Sequence, residues 1–260
     1  MSCQINIKRN WRIPLALTLA GAAACSRQTD SALTVSAAAS LQDALEQIAP
    51  AFGQSHPHLK VRFNFGGSGT LEQQIERGAP VDVFLSAAPK PMDQLTAKGL
   101  ILSGTRRDLL RNQIVLIAPR DSTSLHSFAD LAMPSVKLIA LGDPGSVPAG
   151  DYGRQVLQAL HLWQTVQGKL VLAKDVRQVL TYVETGNADA GVVYATDARL
   201  SSGVRVVATA PESSHAPVVY PTAVVEGSRE PSAARAFVSF LEGPQAREIF
   251  TRFGFTPVSP

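Results

Sequence analysis

A chain of 260 residues, 45% hydrophobic and 17% charged, can fill one large globular core or two smaller ones, and its composition is neither disordered nor fibrous. Its net charge of +3 reflects 24 Lys and Arg against 21 Asp and Glu, and the three surplus cations, Lys8, Arg9 and Arg12, fall in the first 24 residues, which carry no acid. The remainder is near neutral with no dense Lys/Arg run, which excludes an extended nucleic-acid face.

Lys8 to Arg12 and the apolar run at 13–24 have the layout of a secretory signal, so residues 1–24 are expected to be removed on export. That run is shorter than the ~20 residues that span a bilayer, and no other stretch is long and apolar enough to form a transmembrane helix. Ala22-Ala23-Ala24-Cys25 resembles a bacterial lipoprotein processing site, with Ala22 standing where Leu is usual. It implies an acylated Cys25 and a membrane-tethered protein; cleavage after the Ala-x-Ala, releasing a free periplasmic one, is the alternative. Cys3 leaves with the signal, so the mature chain has at most one cysteine and no internal disulfide.

Residues 25–32 read as a polar linker, after which strands and helices alternate as in an α/β fold with largely parallel sheets. A strand at 33–38 leads into a helix at 41–52, where Leu41, Ala44, Leu45, Ile48 and Phe52 recur at helical spacing and Ser40 stands at the N-cap position. A strand at 59–65 runs through Gly66-Gly67-Ser68-Gly69-Thr70 into a helix at 71–77, stopped by Gly78 and Pro80. A strand at 81–86 and a helix at 91–98 follow. The continuous apolar strand at 112–119 reads as covered on both faces. A short helix at 127–132 and a strand at 136–141 precede a turn-rich loop at 142–150, which opens a helix at 151–160. Val176, Val179, Leu180 and Val183 mark a helix capped by Asp175, before strands at 190–194, 204–209 and 218–225. Two C-terminal helices break at Gly243-Pro244. Length and element count predict two lobes, 33–110 with 223–260 and 111–222, joined by crossings near Arg111 and Pro221 with a cleft between them.

Ser40, Ser68, Ala149 after Pro148, and Val176 after Asp175 all stand where a strand gives way to a helix. In open α/β sheets ligands lie beyond the carboxyl ends of the strands, and helix starts there offer unpaired N–H groups and the positive end of the dipole. Four such starts aimed at one cleft would form an anion site without any Lys or Arg. Singly, each has a plainer reading: Ser40 as a routine cap, Asp175 likewise, and Tyr194 as a core tyrosine with a satisfied hydroxyl. Ala149 and Val176 carry no informative side chain. His56, His58, His126, His161 and His215 form no metal pattern. The glycine-rich turn fails the nucleophile-elbow pattern and lacks a P-loop lysine, and no histidine is nominated as a base for Ser40 or Ser68, so a hydrolase reading is disfavoured. The effector-binding half of a transcription regulator shares this architecture, but an export signal and the lack of a DNA-binding module argue against it.

Several motifs carry a resemblance. Ala37-Ala38-Ala39-Ser40-Leu41, Gly78-Ala79-Pro80-Val81-Asp82-Val83-Phe84, Gly142-Asp143-Pro144 with Val147-Pro148-Ala149-Gly150, and Val193-Tyr194 with Asp197-Ala198 resemble the molybdate-binding proteins of ATP-driven (ABC) importers. Tyr220-Pro221 with Ala223-Val224-Val225-Glu226-Gly227, and Gly243-Pro244-Gln245-Ala246, extend the likeness over residues 33–255. The resemblance implies a two-lobed periplasmic-binding-protein fold of the type II kind, each lobe a mostly parallel sheet flanked by helices. It implies molybdate, and tungstate with it, as ligand, no cofactor, membrane permease and ATPase subunits as partners, and a monomer. Carried over by position, the oxyanion would be held by the hydroxyls of Ser40, Ser68 and Tyr194 and by backbone N–H groups at Ala149 and Val176. The family often has a serine-rich turn where this chain has Ser68 alone among glycines. Another tetrahedral oxyanion such as sulfate has the same donor chemistry, so choice between them would fall to cavity size.

Overall fold

The computed structural model describes residues 31–258, with residues 1, 2 and 4. Cys25 and nearly all of the expected signal lie outside the described residues. Among the described residues no helix is long and apolar enough to cross a membrane.

Along the chain, β1 (Ser31–Ala38) leads through a 3-10 turn at Ala39–Leu41 into α1 (Gln42–Ser55), β2 (Leu59–Gly66) into α2 (Ser68–Glu76), and β3 (Val83–Leu85) into α3 (Pro89–Ala97). Then come β4 (Arg107–Arg111), β5 (Ile114–Pro119), a 3-10 turn at Phe128–Ala132, β6 (Ile139–Gly142), α4 (Pro148–Ala159) and α5 (Trp163–Val166). Next are β7 (Leu170–Ala173), α6 (Val176–Glu184), β8 (Ala190–Tyr194), α7 (Ala195–Arg199) and β9 (Val204–Thr209). β10 (Val219–Val224), α8 (Pro231–Glu242), α9 (Pro244–Arg252) and β11 (Thr256–Pro257) complete the order.

The strands form two sheets, one of six in the order β11-β4-β10-β3-β1-β2 and one of five in the order β7-β6-β8-β5-β9. Each sheet heads one lobe of a two-lobed α/β protein. The sheets are mixed, a correction to the mostly parallel expectation. β1 pairs in parallel with β2 and β3, but β10 runs antiparallel to β3 and β4. β6 is parallel to β7 and β8, while β5 is antiparallel to β8 and β9. The reason is the path between lobes. β5 and β10 are the first strands formed on arrival from the other lobe. The parallel strands end at the cleft, so a chain entering from the cleft must run away from it.

The return crossing comes a few residues early. β10 already begins at Val219 within the six-stranded sheet, bonded on both edges, although residues up to 222 were expected in the second lobe. Ser31 and Ala32, expected in the linker, pair with Leu59 and Lys60 as the first rungs of β1.

The apolar stripe of α1 is buried as its spacing requires, with Leu45, Ile48 and Phe52 fully inside. Phe52 meets Phe237 of α8 edge-on, ring centroids 5.1 Å apart, which fastens the C-terminal helices to the first lobe. Asp82, in one of the resemblance motifs, has a structural task. Its carboxylate accepts the Thr34 N–H at 2.8 Å, the Ser228 hydroxyl at 2.7 Å and the Arg229 N–H at 3.1 Å, tying β1 to the turn after β10.

Candidate anion-binding site

In the first lobe, β1 runs out at Ala38 and the chain tightens into the 3-10 turn that holds Ser40. Ser40 therefore does not cap α1: no side-chain cap bond is made at either helix start, and its Oγ lies 3.1 Å from Tyr220 Oη. β2 ends at Gly66, and α2 opens at Ser68, three residues before the apolar pattern begins. The buried Ser68 Oγ accepts the Ala87 N–H at 3.0 Å, which leaves the serine proton free.

In the second lobe, the end of β6 meets the first turn of α4 at very close range. A Cβ on Gly150 would stand 1.8 Å from the Gly142 carbonyl oxygen, so only glycine lets this helix start sit on the sheet. Ala149, in that first turn, has an N–H with no acceptor inside the helix. Asp175 caps α6 as expected, accepting the Gln178 N–H at 2.9 Å, and Val176 opens that helix. Tyr194 ends β8 at the start of α7 and donates a long bond, 3.3 Å, to the Ala87 carbonyl across the cleft.

Ser40, Ser68, Ala149, Val176 and Tyr194 all line one small cavity between the lobes. The rest of its wall is Ala38, Ala39, Gly66, Gly67, Ala87, Val147 and Pro148, so no charged side chain faces it. A much larger interlobe groove runs past Gly69, Val147 and Tyr152, but the charged Glu72, Lys90, Asp93 and Asp151 line it together with several prolines. What the small cavity offers is chiefly donors: serine hydroxyl protons, first-turn N–H groups and the positive ends of several helices. That suits a compact anion.

The surroundings keep it so. Burial, above all, pushes the phenols of Tyr194 and Tyr220 well above the ordinary tyrosine range, so both remain protonated. Arg177, next to Val176, is committed elsewhere: its Nε lies 2.8 Å from Asp197 Oδ1, and its guanidinium reaches across the cleft to Asp43. Asp197 is fully buried, and desolvation raises it to about 7 against the pull of Arg177. The lobes also meet directly where the Gly69 N–H donates to the Ser146 carbonyl at 2.9 Å.

The structure thus brings together all five residues singled out from the sequence. It adds a layer that was missed: Tyr220, Asn112 and Thr196 behind Ser40, Ala87 between Ser68 and Tyr194, and the Arg177 pairs. Asn112 carried little signal, since it stands beside Gln113 in the short polar link between β4 and β5 where the chain crosses. Among the described residues no three His, Cys, Asp or Glu gather as a metal centre would require.

Comparison with known proteins agrees with this picture. The family profile described as bacterial extracellular solute-binding protein matches residues 33–256. A putative ABC transporter substrate-binding lipoprotein, YvgL of Bacillus subtilis, is 44% identical over 245 residues, covering 92% of this chain and 94% of the relative. The molybdate-binding protein ModA of Escherichia coli is 45% identical over 229 residues, covering 86% and 88%. The solved periplasmic molybdate-binding protein of Azotobacter vinelandii superposes with a TM-score of 0.77 at 28% identity, over 88% of this chain and 99% of its own. On its sequence and its two-lobed architecture alike, the chain belongs to the bacterial extracellular solute-binding protein family, whose members bind solutes rather than transform them.

Proposed function

We propose that this protein captures molybdate, and tungstate with it, between its lobes and delivers it to the permease and ATPase of an ABC importer. The observation that carries the reading is the convergence of Ser40, Ser68, Ala149, Val176 and Tyr194 on one cavity without a charged wall. A tetrahedral dianion accepts charge-assisted hydrogen bonds, each roughly twice as strong as a neutral one, so neutral donors and helix ends suffice to hold it. Lacking a full counter-charge, the site can also release the ion when the lobes part, as a carrier must. The names of the E. coli and A. vinelandii relatives support molybdate as the ion.

Titrating the ligand-free protein with molybdate, tungstate, sulfate and phosphate tests this. Molybdate and tungstate are expected to raise the melting temperature and to give a calorimetric binding signal, while sulfate and phosphate do neither. An equal response to sulfate would make it a general oxyanion carrier; silence toward all four would end the oxyanion reading.

Export and a tether at Cys25 belong to the same proposal, supported by the signal-like N-terminus and by the lipoprotein name of the B. subtilis relative. An acyl anchor at the mature N-terminus, ahead of β1 in sequence, leaves the cleft free to meet a permease. The intact mass of the mature protein is expected to show a diacylglycerol-modified Cys25 as first residue; an unmodified one means a free periplasmic form.

A further inference from the structure

The bonds behind Ser40 determine which way its proton points. Asn112 Oδ1 accepts the Gln113 N–H at 2.9 Å, which only the carbonyl end of the amide can do. Its Nδ2 therefore faces Tyr220 Oη at 3.1 Å and Thr196 Oγ1 at 2.9 Å. An amide nitrogen has two protons and accepts none, and both are committed to these oxygens. Tyr220 Oη thus accepts from Asn112, and its own proton goes to its other partner, Ser40 Oγ, 3.1 Å away. Ser40 Oγ accepts in turn, so its proton must point elsewhere, and the cavity it lines is the open direction.

We infer that Asn112, acting through Tyr220, is a positioning residue that orders the Ser40 hydroxyl as a donor toward the cavity. The inference rests on the oxyanion reading above and goes beyond it. Ser68 is ordered in the same sense, because its oxygen is occupied by the Ala87 N–H. The N–H groups of Ala149 and Val176 are donors by constitution.

The chain of bonds also has a telling address. Asn112 lies on the outgoing crossing and Tyr220 at the start of the returning strand, while Thr196 belongs to the second lobe. The donor is therefore ordered from the hinge side, by groups that never touch the ion.

The test is a rescue. Asn112→Asp replaces the donor by an acceptor, so Tyr220 donates to residue 112 and Ser40 must donate to Tyr220, turning a lone pair toward the ion. Molybdate affinity is expected to fall about a hundredfold, as a charge-assisted bond becomes a repulsion. Tyr220→Phe alone cuts the chain and leaves Ser40 free to rotate and donate, for a loss within about tenfold. The double variant is expected to bind at least about tenfold more tightly than Asn112→Asp alone, because residue 112 can no longer reverse Ser40. The added charge at 112 weakens binding in both backgrounds, so charge alone predicts no recovery; a double variant no better than Asn112→Asp overturns the inference. Calorimetric titration reads the affinities, and circular dichroism melting reports which variants fold. Should Asn112→Asp fail to fold, Tyr220→Phe decides alone. At mildly alkaline pH its preference for molybdate over hydrogen phosphate should narrow, since a freed Ser40 can also accept; an unchanged ratio refutes the ordering. Failure of the wild-type protein to bind molybdate would instead remove the oxyanion reading itself.

Discussion

Replacing Ser40 and Ser68 together by alanine is expected to abolish molybdate binding while leaving the two lobes folded. The serines supply two of the three hydroxyls on the cavity wall, one from each of the first two strand–helix joints. A hydrogen bond to a charged partner contributes about 1.5–3 kcal/mol, so losing both amounts to about a hundredfold in affinity at the least. Neither serine fills a core position, and the apolar set behind them, Leu33, Val35, Leu45 and Ile48, is untouched. The variant still loses some stability. Ser68→Ala leaves the buried Ala87 N–H without its acceptor, a cost of about 1–3 kcal/mol, and Ser40→Ala takes the acceptor from Tyr220. The expected signature is therefore a native circular dichroism spectrum, a lowered melting temperature and a flat calorimetric titration. Retained affinity would mean that the ion binds elsewhere, and the larger interlobe groove past Tyr152 would become the place to look.

How much of this site could be read from the sequence depends on the range of the interaction. Val176 behind its Asp175 cap, and the strand ending in Tyr194, are signalled within a few residues, and the structure has them there. Ser40 shows the limit of local reasoning. A serine before an apolar helical run reads as an N-cap, but the chain inserts a 3-10 turn, and the hydroxyl turns to a tyrosine 180 positions away. Asn112 and Tyr220 are themselves 108 positions apart and come together only because both chain crossings pass the same point. No periodicity records that.

The missed elements have a similar cause. β4, Arg107-Asp108-Leu109-Leu110-Arg111, looks too charged for a strand; only Leu109 and Leu110 are buried, and its pairing comes from β10 and β11 far along the chain. β7 is an edge strand with mostly half-exposed residues, so it lacks both alternation and a full apolar run. The reversed strands β5 and β10 could not be told from parallel ones, because direction is set by the route between lobes and leaves no mark on composition.

Adding a methyl group at Gly67 and at Gly69 is expected to weaken molybdate binding strongly without harming the unliganded fold. A Cβ on Gly67 would lie 2.9 Å from the Lys174 carbonyl and 3.1 Å from the Ser146 carbonyl; one on Gly69 would lie 2.8 Å from the Ser146 carbonyl. Apart from Val147 Cγ2, 3.1 Å from a Cβ on Gly67, these obstacles are backbone of the other lobe, so the lobes themselves must stand off. Overpacking of this kind costs about 1–3 kcal/mol, which puts the loss for Gly67→Ala/Gly69→Ala between about tenfold and a hundredfold. Within the first lobe alone the same changes meet no conflict. Gly67 already has φ −64° and ψ 132°, open to any residue, and Gly69 lies in α2, where alanine favours the helix by roughly 0.5–1 kcal/mol. The two signs oppose each other: the unliganded protein should melt no lower than wild type, while calorimetry shows the weakened ion. Binding at wild-type strength would mean that the ion does not need these lobes pressed together. In that case the glycines beside Ser68 serve only the turn, and the donors of the two lobes must reach the ion from further apart than the contacts at Ser146 and Lys174 allow.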